Sequence, residues 1–371
     1  MGPLVDRLLD PWSRRGREAV FTLPGALTPG AGVLVLDSGD LADLIFHGPL
    51  LHGLRAGVPD LRVDVLLPEA HAQFMAASGL AQTCLTYRPA QLRPFRRGFF
   101  PLLRAARAGG YAATIIASHD PQPALARVAM ATGAPLRLGP SHANAWPAVN
   151  LEIRRGADDA TYRGNRPGAA LPLLGLPAPL SVWRWPLPQE RLRQIRQLVR
   201  FNKNRPDDRL VAIDPGAGKN GPALALSSLQ FLVGQLAGQL SCQIVPLSAD
   251  GGERVRELTA LLPAAPPALP RADLLETALL LSQCDLFLGG NTDLFHLAVS
   301  LGVPAVGLFT EEDGADWEPR GRPAARGLRV TRGARVDAEA LFAAVAAVGI
   351  RIAPRAAAAA DGAAAWREGA V

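Results

Sequence analysis

The feature that most constrains this chain is an alternation that occurs twice. Short apolar runs rich in β-formers are each followed by a stretch of helical periodicity. In the first half, strands are expected at 33–37 (VLVLD), 62–67 (RVDVLL), 82–86, 112–117 (AATIIA) and 135–138. Helices are expected at about 41–56, 69–78, 99–108 and 122–132. In the second half, strands are expected at 210–214, 243–247, 285–288 and 304–308. The matching helices are 227–240, 251–262, 272–283, 292–302 and 336–348. Strands separated by whole helices cannot close as hairpins, so the pattern implies parallel, doubly wound α/β sheets. Between the halves, 164–188 holds Pro167, Pro172, Pro177, Pro179, Pro186 and Pro188. Proline at that density continues neither a helix nor a central strand. The segment reads as an interdomain linker whose Trp183 and Trp185 pack on a domain face. The expected organisation is an N-terminal extension 1–30, a first domain 31–163, the linker 164–188, a second domain 189–352 and an Ala-rich disordered tail 353–371.

Ser227 with Gln230 has the form of a capping box. Behind it, Leu229, Val233, Leu236 and Leu240 make one buried stripe. Pro246 inside an expected strand weakens that assignment. Of 371 residues, 49% are hydrophobic and 19% charged, which excludes a disordered chain and suffices for two cores. A formal charge of +6 favours an anionic partner (phosphate, nucleotide, acidic glycan or lipid surface) without selecting one. Nucleic acid is disfavoured, because the charge is dispersed and no basic-aromatic platform repeats. Cys84, Cys242 and Cys284 are scattered, form no zinc spacing and fit a reducing cytoplasm. The longest apolar stretch, 286–310, is interrupted by Asp293, His296 and Pro304, so no membrane span is expected. Residues 1–20 read either as a helix capping the fold or as an amphipathic segment (Leu4, Leu8, Leu9, Trp12, then Arg14, Arg15 and Arg17) on an anionic membrane face.

Three stretches carry candidate chemistry. In 33–50, a strand ends at Asp37, Ser38-Gly39-Asp40 turns, and Asp43 falls in the first turn of a helix. A carboxylate there can act as a general base toward a hydroxyl, or it can simply complement the helix dipole. In 214–222 (DPGAGKNGP), Gly216, Gly218 and Gly221 allow close backbone approach, and Lys219 offers a point charge to phosphate. The loop lacks the ending of a P-loop and can equally be a turn. In 289–297 (GGNTDLFHL), Thr292 is the expected N-cap of a helix whose first N–H groups, with Asn291, Asp293 and Leu294, can form an anion site. Asp293 opposes an anion there. His296, in the opening turn, can touch a phosphate or simply pack.

In this order and spacing, the three stretches resemble glycosyltransferase family 9, the ADP-heptose:lipopolysaccharide heptosyltransferases. The resemblance runs from about residue 32 to about residue 320. Asp43 matches the family's aspartate, with Ala42 in place of its glycine, and Pro49-Leu50-Leu51 follows. Val58-Pro59-Asp60 and the strand after it also fit. Pro215-Gly216-Ala217 matches a Pro-Gly-Ala turn, with Lys219 and Pro222 beyond it, although Gly221 stands where the family has Trp. Gly251-Gly252-Glu253 matches a Gly-Gly-acidic turn. In Asn291-Thr292-Asp293-Leu294-Phe295-His296-Leu297-Ala298, four positions match the family's Asp-Thr-Gly-x-x-His-Leu-Ala, whereas Asn291 and Asp293 depart from it. Gly302-Val303-Pro304, Gly307-Leu308-Phe309 and Trp317 with Pro319 complete the likeness.

The resemblance implies a GT-B fold: two Rossmann-like domains facing across a cleft. It also implies inverting, metal-independent transfer from a nucleotide-sugar donor, with no further cofactor. Asp43 would be the base. Lys219 and the helix start would stabilise the leaving diphosphate, with His296 beside it. Gly216, Ala217, Gly218, Glu253 (toward a ribose hydroxyl), Asn291, Thr292, Asp293 and Leu294 would hold an ADP-linked donor. Arg88, Arg93, Arg96 and Arg97 are expected to meet an anionic glycan or glycolipid acceptor, or to form a solvated loop. The location implied is cytoplasmic, with peripheral contact at the inner membrane. The competing readings are a degenerate GT-B binding or scaffold protein, and a GT-B enzyme acting on another nucleotide sugar, such as an epimerase.

Overall fold

A computed structural model describes residues 25–351, apart from 26, 119, 143–147, 155–160, 181–182, 217, 219–224, 249–251, 268–272 and 332–335. The chain divides into two units. The first comprises the described residues up to Arg191 with Asp273–Leu275 and Ala315–Gly321; the second comprises the others. The expected extension and tail lie outside the described residues almost entirely.

The first unit is built on six parallel strands: β1 (Gly32–Leu36), β2 (Arg62–Pro68), β3 (Thr83–Tyr87), β4 (Ala113–Ile116), β5 (Leu136–Pro140) and β6 (Leu151–Ile153). Their order is β3-β2-β1-β4-β5-β6. The helices are α1 (Leu41–Phe46), α2 (Gly48–Gly57), α3 (Ala72–Ser78), α4 (Phe99–Ala108), α5 (Pro123–Thr132) and the single turn α6 (Ala170–Leu173). Buried Leu34, Leu36, Leu66 and Ile116 form one core with Phe99, Leu102, Leu103 and Ala106 of α4 and Leu125, Val128 and Ala129 of α5.

The helix expected at 41–56 is two helices, α1 and α2, that meet at His47. Pro49 has no N–H to continue the ladder back to Ile45, and it occupies the opening turn of α2, where no N–H is needed. The proline-dense segment packs on the first unit through its tryptophans, as expected. Trp183 and Trp185 are buried, Trp185 stacks on Phe74 at 4.7 Å, and short 3₁₀ turns at Arg163–Asn165 and Pro167–Ala169 lead into α6. Gly48, Gly53 and Gly57 of α2 turn bare backbone toward Trp183, Leu171 and Leu176. Prolines stiffen this segment, and the missing Cβ atoms let it lie close.

The second unit has strands β7 (Arg209–Asp214), β8 (Cys242–Pro246), β9 (Leu286–Gly290), β10 (Ala305–Phe309) and β11 (Ala325–Arg329), all parallel, in the order β11-β10-β9-β7-β8. Its helices are α7 (Gln189–Asn202), α8 (Leu226–Gln239), α9 (Glu253–Ala260), α10 (Leu274–Leu281), α11 (Asp293–Leu301) and α12 (Ala338–Ala347), of which α7 and α10 begin in the first unit. The stripe Leu229, Val233, Leu236 and Leu240 is buried as expected, against Val211, Ile213, Leu286 and Leu288. The capping box is not formed: α8 starts a residue earlier, and its N-cap is Ala225, with no side-chain bond. Pro246 is accommodated because β8 is an edge strand and Pro246 is its last residue. Among the described residues no helix is long and apolar enough to cross a membrane.

Candidate functional site

In each sheet the connections reverse direction at one point, and ligands of open α/β sheets bind at the carboxyl ends of the strands there. In the first unit this point lies between β1 and β4, and the turn after β1 leads to Asp43. Asp40 caps α1 by accepting from the Ala42 N–H at 2.8 Å, which places Asp43 in the first turn. Ser38 Oγ donates to Asp43 Oδ2 at 2.6 Å, and Ser118 Oγ, from the end of β4, donates to the same oxygen at 2.9 Å. Burial raises the Asp43 pKa, the two serine bonds oppose the rise, and the charges of Asp40 and Asp120 add to it.

Asp43 and Ser118 open onto a recess closed by Pro140, Ile153, Arg163 and Arg166. Arg163 Nε and Arg166 Nη1 both reach Asp316 Oδ2, at 2.8 and 3.0 Å, and Arg163 lies over the Trp317 ring at 4.2 Å. For Asp316, burial raises the carboxyl, but the bonds and charges of Arg166 and Arg163 outweigh it and hold it below its usual value.

Beneath the turn lies Asp37, fully buried. It accepts from Gly39 N–H at 3.2 Å and faces His47 at 3.6 Å and His71 at 3.9 Å. The His47 pKa is lowered by burial, against the pull of Asp37.

In the second unit the reversal lies between β7 and β9. Asp214, ending β7, accepts from Gly216 N–H at 2.9 Å and so shapes the glycine loop. Gly218 lies against Asn291: an added Cβ would stand 3.4 Å from the Asn291 carbonyl oxygen. Thr292 is the N-cap of α11, accepting from Phe295 N–H at 3.2 Å, as expected. Asp293 is half-buried at the first helical position and Glu253 is exposed at the first position of α9. Asn291 donates to Asp313 Oδ1 at 2.7 Å, and its own Oδ1 sits 2.8 Å from His296 Nε2. With the amide NH₂ spent on Asp313, its oxygen must accept, which puts the proton of His296 on Nε2. Asp313 also accepts from Thr310 N–H and its hydroxyl. The departure at Asn291 is therefore matched to its partner: an aspartate would set two buried carboxylates face to face.

Some expected contacts are corrected. His296 and Leu294 are fully buried: His296 Nε2 lies against Asn291 Oδ1, and the Leu294 side chain is core. None of Arg88, Arg93, Arg96 and Arg97 lines the Asp43 recess. They occupy the exposed β3–α4 loop, where Arg88 pairs with Glu69 at 2.8 Å. Ala217 and Lys219 lie outside the described residues. Sequence reasoning missed Ser38, Ser118, Arg163, Arg166 and Asp313, and also Arg254, whose Nε is 3.5 Å from the Pro215 carbonyl. Among the described residues no group of three or more His, Cys, Asp or Glu side chains is placed to hold a metal ion.

The model of glycosyltransferase family 9 (heptosyltransferase) matches residues 126–339, more than half of the chain. No curated protein matches it. Among solved structures, a family 9 glycosyl transferase from Veillonella parvula is similar at 19% identity and a TM-score of 0.68, over 81% of this chain and 86% of that one. The E. coli ADP-heptose lps heptosyltransferase II is similar at 19% identity and 0.65, over 85% and 98%. The E. coli heptosyltransferase WaaC with ADP is similar at 16% identity and 0.64, over 86% and 100%. At these identities the likeness is one of fold.

Proposed function

The chain belongs to glycosyltransferase family 9 and has a GT-B fold, and from that premise we propose that it moves heptose from ADP-heptose to an anionic envelope glycan. It is a glycosyltransferase using a nucleotide-sugar donor. The ADP and heptose of the proposal come from the similar E. coli proteins, one named an ADP-heptose lps heptosyltransferase and one described with ADP. The observation that carries the reading is Asp43: a carboxylate at a reversal of the sheet, made more basic by burial and fixed by two serines on one oxygen.

In the proposed reaction Asp43 Oδ1 takes the proton of the acceptor hydroxyl. That oxygen attacks the anomeric carbon from the side opposite the leaving ADP, so the configuration inverts. A base more basic than a free carboxylate accepts that proton more readily at neutral pH. Arg163 and Arg166 face the same recess and suit a carboxylate or phosphate on the acceptor. The departing diphosphate takes N–H bonds from the start of α11 and charge from Lys219. Glu253 meets the ribose. The transfer is metal-independent in this reading, and the free thiols of Cys84, Cys242 and Cys284 suit the cytoplasm.

The test is Asp43→Asn. Turnover should fall by roughly 10²–10⁴-fold, the usual worth of a general base, while donor affinity stays unchanged. A variant with near-normal turnover removes Asp43 from the mechanism.

A further inference from the structure

Asp37 and His47 take no part in the chemistry above, yet they bracket the segment that supplies it. Asp37 follows β1, Asp43 lies in the first turn of α1, and His47 closes α1 where α2 begins. The backbone is pinned at both ends. Asp37 N–H donates to the Leu66 carbonyl at 2.8 Å, and the Tyr87 hydroxyl donates to the Asp37 carbonyl at 3.0 Å. His47 N–H donates to the Asp43 carbonyl at 3.1 Å. Between them Gly39 holds the turn at φ 93°, with the Tyr87 hydroxyl and Pro68 only 3.1 and 3.2 Å from where a Cβ would stand.

The side chains then join the two ends. Asp37 is fully buried, and its Oδ2 accepts from Gly39 N–H at 3.2 Å. Its Oδ1 faces Nδ1 of the fully buried His47 at 3.6 Å, and His71, which ends the 3₁₀ turn Glu69–His71 after β2, places Nδ1 3.9 Å from Oδ2. Among the described residues, Asp37 Oδ1, both ring nitrogens of His47 and His71 Nδ1 make no hydrogen bond. Two imidazoles thus converge on one carboxylate beneath the turn. Burial lowers the His47 pKa, so its ring is neutral and carries one proton. Facing a carboxylate, that proton belongs on Nδ1. A buried carboxylate and imidazole are a costly filling for a core, because apolar side chains of similar volume often pack as well or better.

We infer that Asp37 is a positioning residue: with His47 it clasps the segment 37–47 and so sets the aim of Asp43 at the acceptor hydroxyl. The inference rests on Asp43 being the base. Asp37 acts through the turn, holding Gly39 while the neighbouring Ser38 donates to Asp43 Oδ2. A separation of 3.6 Å is longer than a hydrogen bond. The clasp closes to bonding distance once the acceptor is seated, as catalytic hydrogen bonds of empty enzymes commonly do.

The test measures transfer from ADP-heptose to heptose-free lipopolysaccharide. Asp37→Asn keeps an acceptor for Gly39 N–H but gives up the carboxylate. It should lower kcat about ten- to a hundredfold, the scale of a small misplacement of a reacting group, with both KM values unchanged. The charges that raise Asp43 are those of Asp40 and Asp120. The acid limb of kcat/KM should therefore keep its place while the plateau falls. His47→Leu should lower kcat comparably, whereas His47→Asn, whose amide puts an N–H where Nδ1 stands, should keep most of it. Added to Asp43→Asn, Asp37→Asn should cost nothing further, because residues that act as a unit are not additive. Nitrogen NMR of the unmodified protein should find the His47 proton on Nδ1, which covers variants that fail to fold. The inference is overturned by a normal kcat in Asp37→Asn, by a change in KM alone or by a displaced acid limb. Equal losses in the two His47 variants, losses that multiply with Asp43→Asn, or a His47 proton on Nε2 overturn it too. Near-normal turnover of Asp43→Asn alone is a distinct result: it removes the base itself, and the role of the clasp with it.

Discussion

Burial raises the Asp43 pKa, and the bonds from Ser38 and Ser118 only partly counter it. The folded chain therefore keeps this proton above the ordinary value of 3.8, while the unfolded chain loses it there. Between the two values stability falls as pH rises, and above the folded value the ionised carboxylate is a constant cost. Only the ionised form can take a proton, so kcat/KM should rise with pH through the raised value and then level off. Asp43→Asn should melt higher than the parent at neutral pH while losing turnover. A profile lacking that acid limb, or a variant that melts lower, contradicts the assignment. Asn291 makes the opposite case. Restoring the aspartate that the resemblance implies would bring a carboxylate to within 2.7 Å of Asp313 in a buried site. Asn291→Asp should destabilise the second unit by about 3 kcal/mol, read as a lower denaturation midpoint. An unchanged midpoint means that Asp313 is not the partner that fixes this residue. Asp43 and Thr292 were legible in the sequence because the strand, turn and helix around each are contiguous. The buried place of His296 was not, because its partner Asn291 is itself placed by Asp313, from beyond the next strand.

At the scale of elements, the proline-dense segment packs through Trp183 and Trp185 as expected, and the glycines of α2 that receive it are the part the sequence did not show. Proline excludes helix interiors and central strands, but it does not exclude a stiff segment laid on a helix. Gly48 at the start of α2 touches the Trp183 ring, and an added methyl would collide with it. Gly48→Ala should cost about 1–3 kcal/mol as overpacking, although alanine is the better helix former. A stabilised variant would mean that the tryptophan is free to move away. The stripe of α8 was legible, because a helix buried on one face repeats its leucines at that period. β6 and β11 were not, because edge strands such as LEI and ARGLR are half exposed and show no apolar run. α7 was missed for the same reason: only Ile195 and Val199 are buried in its 14 residues.

At the scale of the whole molecule, the alternation fixed two parallel sheets but not their strand orders. The orders bring Ser118 to Asp43 across 75 residues, and Asp316 to Arg163 across 153. No local pattern encodes such a pairing, which arises when β4 takes the place beside β1 and when Ala315–Gly321 packs with the first unit. The rule that ligands sit where the sheet reverses then puts one candidate site in each unit. The central claim is that the second unit holds an ADP-linked sugar despite Asp293. Calorimetric titration of the purified protein with ADP, UDP and GDP tests it most directly. The account predicts saturable binding of ADP, with UDP and GDP far weaker. Preference for UDP or GDP would contradict the donor, and binding of none of the three would make Asp293 a block and the chain a non-catalytic relative.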